Sequence, residues 1–313
     1  MLSKTAGGLF WMFRYLERSE NTSRLLEAGF HISLTRANSA EDEWVSIITT
    51  AGAKYAYEAK YKTYDAASVI DFLLRDKSNP SSVLSVFEGA RNNARMVRTA
   101  LTREVWEAIN ESWLAMKVLL VNPVHERELP DVLNFIKKQS AIVRGALHGT
   151  MLRNEIYDFA MLGTFLERAD NTARILDVKY YVLLPSFSFV GSALDNIQWE
   201  TVLRSVSAQR CYRWLNQGEM KPMGIADFLI LDRRLPRSLA FSYANIVQHL
   251  NFLAEEYNIK HTCHEQAKTI HTRLKTKTIE TIFEEGLHEF ITEFIENNIE
   301  LGNQIEADYN FNG

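Results

Sequence analysis

Cysteine, proline and glycine are scarce in this chain. Two cysteines in 313 residues, Cys211 and Cys263, exclude a disulfide framework and fit a compartment where thiols stay reduced. Six prolines and fourteen glycines supply too few turn formers for a β-sandwich or a parallel α/β sheet, whereas Ala, Leu, Glu, Arg and Lys are plentiful, so an all-α protein is expected. An excess of basic charge is missing too. With 35 basic against 39 acidic residues the net charge is −4, which leaves no broad electrostatic footprint for nucleic acid or an anionic membrane.

Long hydrophobic runs are also absent. The longest, Tyr180 to Leu194, is interrupted by Pro185 and Gly191 and is too short to span a bilayer. The opening MLSKTAGGLFWMFRYLERS puts charge directly after a short apolar run, unlike a secretory leader, so a cytoplasmic location is expected. No Gly-rich phosphate loop, Walker sequence or nucleophile elbow occurs.

What the chain does contain is one sentence written twice. Residues 14–27 read RYLERSENTSRLLE and residues 164–177 read TFLERADNTARILD, 150 positions apart. At about 100° per residue on a helix, Glu17, Asn21, Arg24 and Ala28 share one narrow strip, as do Glu167, Asn171 and Arg174. Arg18 with Thr22, and Arg168 with Thr172, form a second strip beside it. Tyr15, Leu16, Ser19, Ser23 and Leu26 make the opposite, core-seeking face. A merely solvated face, dressed with pairs such as Glu20 to Arg24, needs only charge. Both stretches nevertheless keep Asn and Thr, mediocre helix formers, and keep Glu-Arg in that order. Directed hydrogen bonds, for which the planar guanidinium fork has no Lys substitute, account for that retention. The strips are therefore expected to face a shared internal groove.

These twin stretches, Leu16-Glu17-Arg18 and Leu166-Glu167-Arg168, together with the lead-in from Leu9 to Tyr15, resemble the alpha-E domain family, a bacterial all-helical group named for its helical content and its Glu-Arg motif. The resemblance covers essentially the whole chain. It departs at Ser19 and Ser23, where Ala is more usual, and at Phe13, where Gly is. It implies a protein of undefined activity found alongside circularly permuted ATP-grasp ligases and transglutaminase-like proteases, hence a part in amide-bond or peptide chemistry. An ATP-grasp-type ligase or a transglutaminase-like protein is thus the expected partner. The cofactor, if any, is left unknown by the resemblance.

Two further blocks recur in the same order. Trp199, Val202, Leu203 and Ala208 align with Trp44, Ile47, Ile48 and Ala53 at a shift of 155. The block from Asp227 to Ser238 matches that from Asp71 to Ser82 at a shift of 156. With the motif shift of 150, these indicate an internally duplicated bundle of about ten to twelve helices. It would form a single domain of two pseudo-repeats, about 8–150 and 158–309, with the two motif helices packed near a pseudo-twofold axis.

The expected helices run from residue 8 to about Asn38-Ser39, from Glu41 to about Tyr61, from Asp65 to Leu74 and from Ser81 or Ser82 onward. Others span Thr102 to Leu120 and Pro130 to Met151, then a long helix capped by Asn154, and finally about His261 to Glu285 and Gly286 to Tyr309. In the fourth, Glu88, Asn92 and Arg95 repeat the motif spacing as a possible third strip. Asp76 and Asp232 sit where a helix ends, and the Ser after each Pro where one begins, which reads as capping and turn formation. Alternatively Asp232, Arg233, Arg237 and Ser238 bring an anion-binding helix start near the Glu-Arg strip.

Metal patterns are weak. Glu285-Gly286-Leu287-His288 is a lone instance of a di-metal motif, and the spacing of His261, Cys263, His264 and His271 fits no zinc finger, so no metal site is assigned. Trp11, Trp44 and Trp199 read as core anchors. Three functions remain open. A binding or accessory protein would use the groove for a peptide, an amino-acid-like zwitterion or the partner ligase, Arg taking a carboxylate and Glu an ammonium. An enzyme would use a Glu at raised pKa for acid or base chemistry, or a metal recruited by Glu17, Glu88 and Glu167. A structural protein would use the strips as interhelical glue.

Overall fold

Two long helices, α1 (Ser3–Ser33) and α8 (Glu155–Leu183), carry the two motif stretches and make the most extensive helix–helix contact in the molecule. The computed structural model describes residues 3–33, 40–183, 193–216 and 220–311. Within them every regular element is helical, with no strand among the described residues. The expected fading of the first helix at Asn38-Ser39, and the Pro185 and Gly191 interruptions, lie outside the described residues. Among the described residues no helix is long and apolar enough to cross a membrane.

The backbones of α1 and α8 approach closely at Gly163, where a Cβ would stand 2.2 Å from the Phe10 carbonyl oxygen. Around this pair the neighbours are arranged alike. On α1 pack α5 (Val83–Met96) and α7 (Leu129–Thr150); on α8 pack α12 (Leu239–Tyr257) and α15 (Leu287–Asp308). From α7, Ser140 Oγ donates to the Leu16 carbonyl. From α15, Asn298 Nδ2 donates to the Leu166 carbonyl at 3.2 Å while Tyr243 donates to its Oδ1. One continuous apolar core, from Leu9 and Phe10 through Leu166 to Phe294 and Ile305, joins all of these helices.

Local chemistry sets the ends. Asp65, Ser82, Thr102 and Ser238 each accept a backbone N–H from the third residue on, starting α4 (Ala66–Leu74), α5, α6 (Arg103–Leu119) and α12. Asp76 and Asp232 accept the backbone N–H of Ser78 and Arg234, two residues on, closing the turns before those serines. The expected Asn154 cap does not form, since its Oδ1 accepts no hydrogen bond; Glu155 and Asp158 in the first turn of α8 complement the helix dipole instead.

Fifteen α-helices occur among the described residues, more than the ten to twelve expected, because turns cut helices that periodicity joins. The span from Glu41 to Tyr61 is broken at Gly52, whose φ of +68° ends α2 (Ala40–Thr50) with Ala53 N–H donating to the Ile48 carbonyl before α3 (Lys54–Glu58) begins. Ser207, at φ +57°, ends α9 (Ala193–Ser205) in the same way, Ala208 N–H donating to the Leu203 carbonyl. Next come α10 (Gln209–Leu215) and α11 (Pro222–Ile230). The expected His261 to Glu285 helix splits into α13 (Thr262–Thr276) and α14 (Ile279–Glu285), the second capped by Thr278.

Candidate functional site

The two polar strips do face each other, and their Glu and Asn side chains are buried while Arg18 and Arg174 stay partly exposed. Glu17 and Glu20 are each 1 % exposed, Asn21 4 %, and Glu167 5 %. Burying carboxylates is costly unless each is paired and hydrogen-bonded, and here the pairing crosses between the motifs. Arg168 grips Glu17 at two points, Nε to Oε1 and Nη2 to Oε2, both at 3.0 Å. Arg18 grips Glu167 likewise, Nε to Oε1 at 2.5 Å and Nη2 to Oε2 at 3.0 Å. Each Glu-Arg pair is thus satisfied by the other. Asn21 adds a bond from its Nδ2 to the Glu167 carbonyl at 3.2 Å.

Around Glu17 the cluster is closed. Arg144 of α7 and Arg237 reach Glu17 at 3.4 and 3.1 Å, and both also pair with Glu20. Arg24 binds Glu20 as well, with its Nη1 donating to the Ser205 carbonyl and Ser207 Oγ at 2.9 and 2.7 Å. Arg237 Nη1 also donates to Asn21 Oδ1, at 3.4 Å, and its own carbonyl accepts from Thr172. Burial pushes the Glu17 carboxyl up, but Arg168, Arg237 and Arg144 outweigh it and hold the group well below the usual carboxylate range. Burial brings Arg237 down to about 10 despite the attraction of Glu17, which leaves it charged at neutral pH.

Around Glu167 the cluster is open. Arg14 reaches Glu167 at 3.0 Å, and Arg174 pairs with Asp170 at 2.6 Å as Arg24 does with Glu20. Beside them lies a cleft of about 310 Å³ whose lining includes Arg18, Asn21, Thr22, Ser81, Asn171 and Arg174. Asn171 is more than nine-tenths buried, and its Oδ1 accepts no hydrogen bond. The backbone of Gly52 also lines the cleft, close to Arg174 Nη1. For Glu167, burial raises the carboxyl and the Arg18 and Arg14 guanidiniums more than offset it, bringing it to about 2.

The expectation of a carboxyl at raised pKa is thereby corrected. Glu17 and Glu167 are ionised acceptors whose oxygens are held by guanidinium hydrogens, poorly disposed to give or take a proton near neutral pH. That same engagement leaves them little capacity as metal ligands. Of the predicted site residues, Glu17, Arg18, Asn21, Arg24, Glu167, Arg168, Asn171, Arg174 and Arg237 gather about the α1–α8 contact. Glu88, Asn92 and Arg95 do not: α5 packs through Val86, Phe87, Ala90 and Ala94, so Asn92 and Arg95 are exposed and Glu88 is half-buried, bonded to none of the described clamp residues. Asp232 is engaged with Arg234 in its own turn, and only Arg237 of that block reaches the carboxylates.

Sequence reasoning missed Arg14 and Arg144, which no local pattern marks. It also treated Glu20 as solvated, although the acid aligned between the two stretches was a usable signal. Two of the candidate histidines are held in structural contacts: His264 Nδ1 accepts from the His261 amide and Nε2 meets the Leu250 carbonyl, and His288 pairs with Asp177. Trp44 and Trp199 are buried in the core, whereas Trp11 is half-buried beneath the Arg14 guanidinium, 4.6 Å from its ring.

An all-helical protein built on two buried, mutually crossed Glu-Arg pairs is the class that this fold and site define. The chain belongs to the Alpha-E family, described as a predicted alpha-helical domain with a conserved ER motif, whose model matches residues 1–309. It is similar to an uncharacterised protein of Mycobacterium bovis, 24 % identical over 247 residues that make up 74 % of this chain and 28 % of that protein. Uncharacterised proteins of two Mycobacterium tuberculosis strains match over the same shares, at 24 % and 23 % identity. The matched segment is thus little more than a quarter of those relatives' length. No solved structure matches the chain.

Proposed function

We propose that this chain is a helical binding or accessory protein, a single domain of two duplicated halves (about 8–150 and 158–309), whose cleft beside Glu167 holds a peptide end or an amino-acid-like zwitterion. One observation carries the reading. Asn171 Oδ1 is a buried acceptor with no donor, in a cleft lined by both motif helices, and such a group is stabilised by a ligand N–H. Arg174 supplies the complementary end, since Nε and Nη2 are spent on Asp170 while Nη1 makes no hydrogen bond among the described residues. A ligand carboxylate beside Nη1 offsets the excess of three guanidiniums over Glu167 and Asp170.

The family resemblance supports service to an ATP-grasp-type ligase or a transglutaminase-like protein in amide or peptide chemistry, in the cytoplasm. The greater length of the mycobacterial relatives is in keeping with a domain that works beside others. A second reading, interhelical glue, has its own support in the crossed pairs, and both hold at once if the sealed half clamps and the open half binds. Calorimetric titration with alanine and with Ala-Ala is the test. Saturable binding that falls at least tenfold in Asn171→Leu supports the cleft, and heats of dilution alone would sink it. Co-purification of the chain with the ligase tests the partnership.

A further inference from the structure

We infer that the cleft is a seat for a guanidinium, and that its ligand carries an arginine side chain. The inference rests on the binding reading above and names the chemistry of the ligand's cationic end. The chain contains an occupied version of the same seat. In the recurring block, Pro236-Arg237-Ser238 aligns with Pro80-Ser81-Ser82, and the alignment holds in space: Ser238 and Ser82 both cap the helix that follows, and Asp232 and Asp76 both close the turn before it. Arg237 meets Glu17, Glu20 and Asn21. The residues 150 positions further on, Glu167, Asp170 and Asn171, line the cleft with Ser81. Where one seat is filled by a seven-heavy-atom side chain, the other has a hydroxymethyl group and an orphaned Asn oxygen.

A second substitution widens the same space. Ser207 Oγ accepts from Arg24 Nη1 at 2.7 Å. Gly52 occupies the matching left-handed position, φ +68° against +57°, without a hydroxyl, so Arg174 Nη1 remains available to a ligand carboxylate. Charge must be balanced by the ligand itself. The sealed seat holds four guanidiniums (Arg24, Arg144, Arg168, Arg237) about two carboxylates. The open one holds three (Arg14, Arg18, Arg174) about two, so a fourth from a ligand matches the sealed geometry, and the ligand's own carboxylate beside Arg174 Nη1 offsets the added charge. A planar fork that donates to several acceptors at once fits such a seat better than an ammonium, and about 310 Å³ is within the size range of small-molecule sites.

The test is calorimetric titration of the intact protein at low ionic strength with L-arginine, agmatine, L-citrulline, L-ornithine and L-alanine. Arginine is expected to bind at least tenfold more tightly than alanine, citrulline or ornithine, and more tightly than agmatine, which lacks the carboxylate for Arg174. Ser81→Arg, which refills the seat from within, is expected to abolish arginine binding while leaving the circular dichroism spectrum unchanged. Should that variant fail to fold, Asp170→Asn is expected to weaken arginine at least tenfold. Alanine binding as tightly as arginine would overturn the guanidinium seat and leave the zwitterion reading standing. Arginine binding unchanged in folded Ser81→Arg, or in Asp170→Asn, would overturn it too. No heat with any of the five overturns the guanidinium seat, and no heat with Ala-Ala as well overturns the binding reading with it.

Discussion

Glu17 and Arg168, 151 positions apart, are joined at two points of 3.0 Å each, and the bond is returned in kind by Arg18 on Glu167. Because both glutamates are buried and their arginines only partly exposed, removing one partner leaves the other as a poorly compensated charge, costing up to about 3–5 kcal/mol. Glu17→Gln should therefore lower the urea midpoint by that order, and Arg168→Lys should not preserve stability, since an ammonium lacks the two-point fork. The Glu17→Ala/Arg168→Ala double variant should lose clearly less than the sum of the singles. Additive losses would show that the pair is not coupled.

Acid should dissolve this clamp in a defined window. The folded carboxyl of Glu167 lies at about 2 against an ordinary 4.5, and Glu17 is depressed as well. A depressed folded pKa means that the unfolded chain binds more protons, so the stabilisation is present above about pH 4.5 and is lost as pH falls toward 2. Urea midpoints measured from pH 6 down to pH 2.5 should drop below pH 4.5, and Glu167→Gln should flatten that drop from a lower starting stability. An equally steep profile in the variant would remove Glu167 as its source.

The strip of Glu17, Asn21 and Arg24 was legible because its copy 150 residues on keeps the same chemistry. Periodicity names a face of a helix but does not say what covers it. Glu88, Asn92 and Arg95 share the spacing, yet α5 turns its apolar side to α1, leaving Asn92 and Arg95 exposed and Glu88 half-buried. Arg144 is the converse case: it closes the Glu17 cluster from α7, and its place depends on how α7 packs, which no local pattern encodes. The cleft itself comes from two small residues, Ser81 and Gly52, standing where Arg237 and Ser207 stand on the other side. That contrast shows only once the two environments are compared atom by atom.

Gly163 sets how close α1 and α8 come. A Cβ there would lie 2.2 Å from the Phe10 carbonyl oxygen, a backbone atom that no side-chain rotation can move. Gly163→Ala must push the helices apart and lengthen the crossed ion pairs with them. Overpacking of this kind costs about 1–3 kcal/mol, and the added loss of pairing places the variant at or above the upper end. A midpoint within error of the wild type would mean that the two helices slide freely, and the crossed clamp would then not fix their register.

Ser82 and Ser238 offer a milder comparison. Each accepts a backbone N–H at the start of its helix, from Ser85 at 3.3 Å and from Phe241 at 3.0 Å, and Ala in place of such a cap costs about 1 kcal/mol. The two should nevertheless differ. Ser238 follows directly on Arg237 and also donates to the Asp232 carbonyl, so loosening it frees the loop that holds a guanidinium on Glu17 and Glu20. Ser82 follows Ser81, which pairs with neither acid. Ser238→Ala should thus lose more stability than Ser82→Ala, and in an Arg237→Ser background the excess should vanish, because the loop then has no charge left to deliver. A double-mutant cycle on Ser238 and Arg237 measures that coupling; a value of zero would mean that the cap acts on its helix alone.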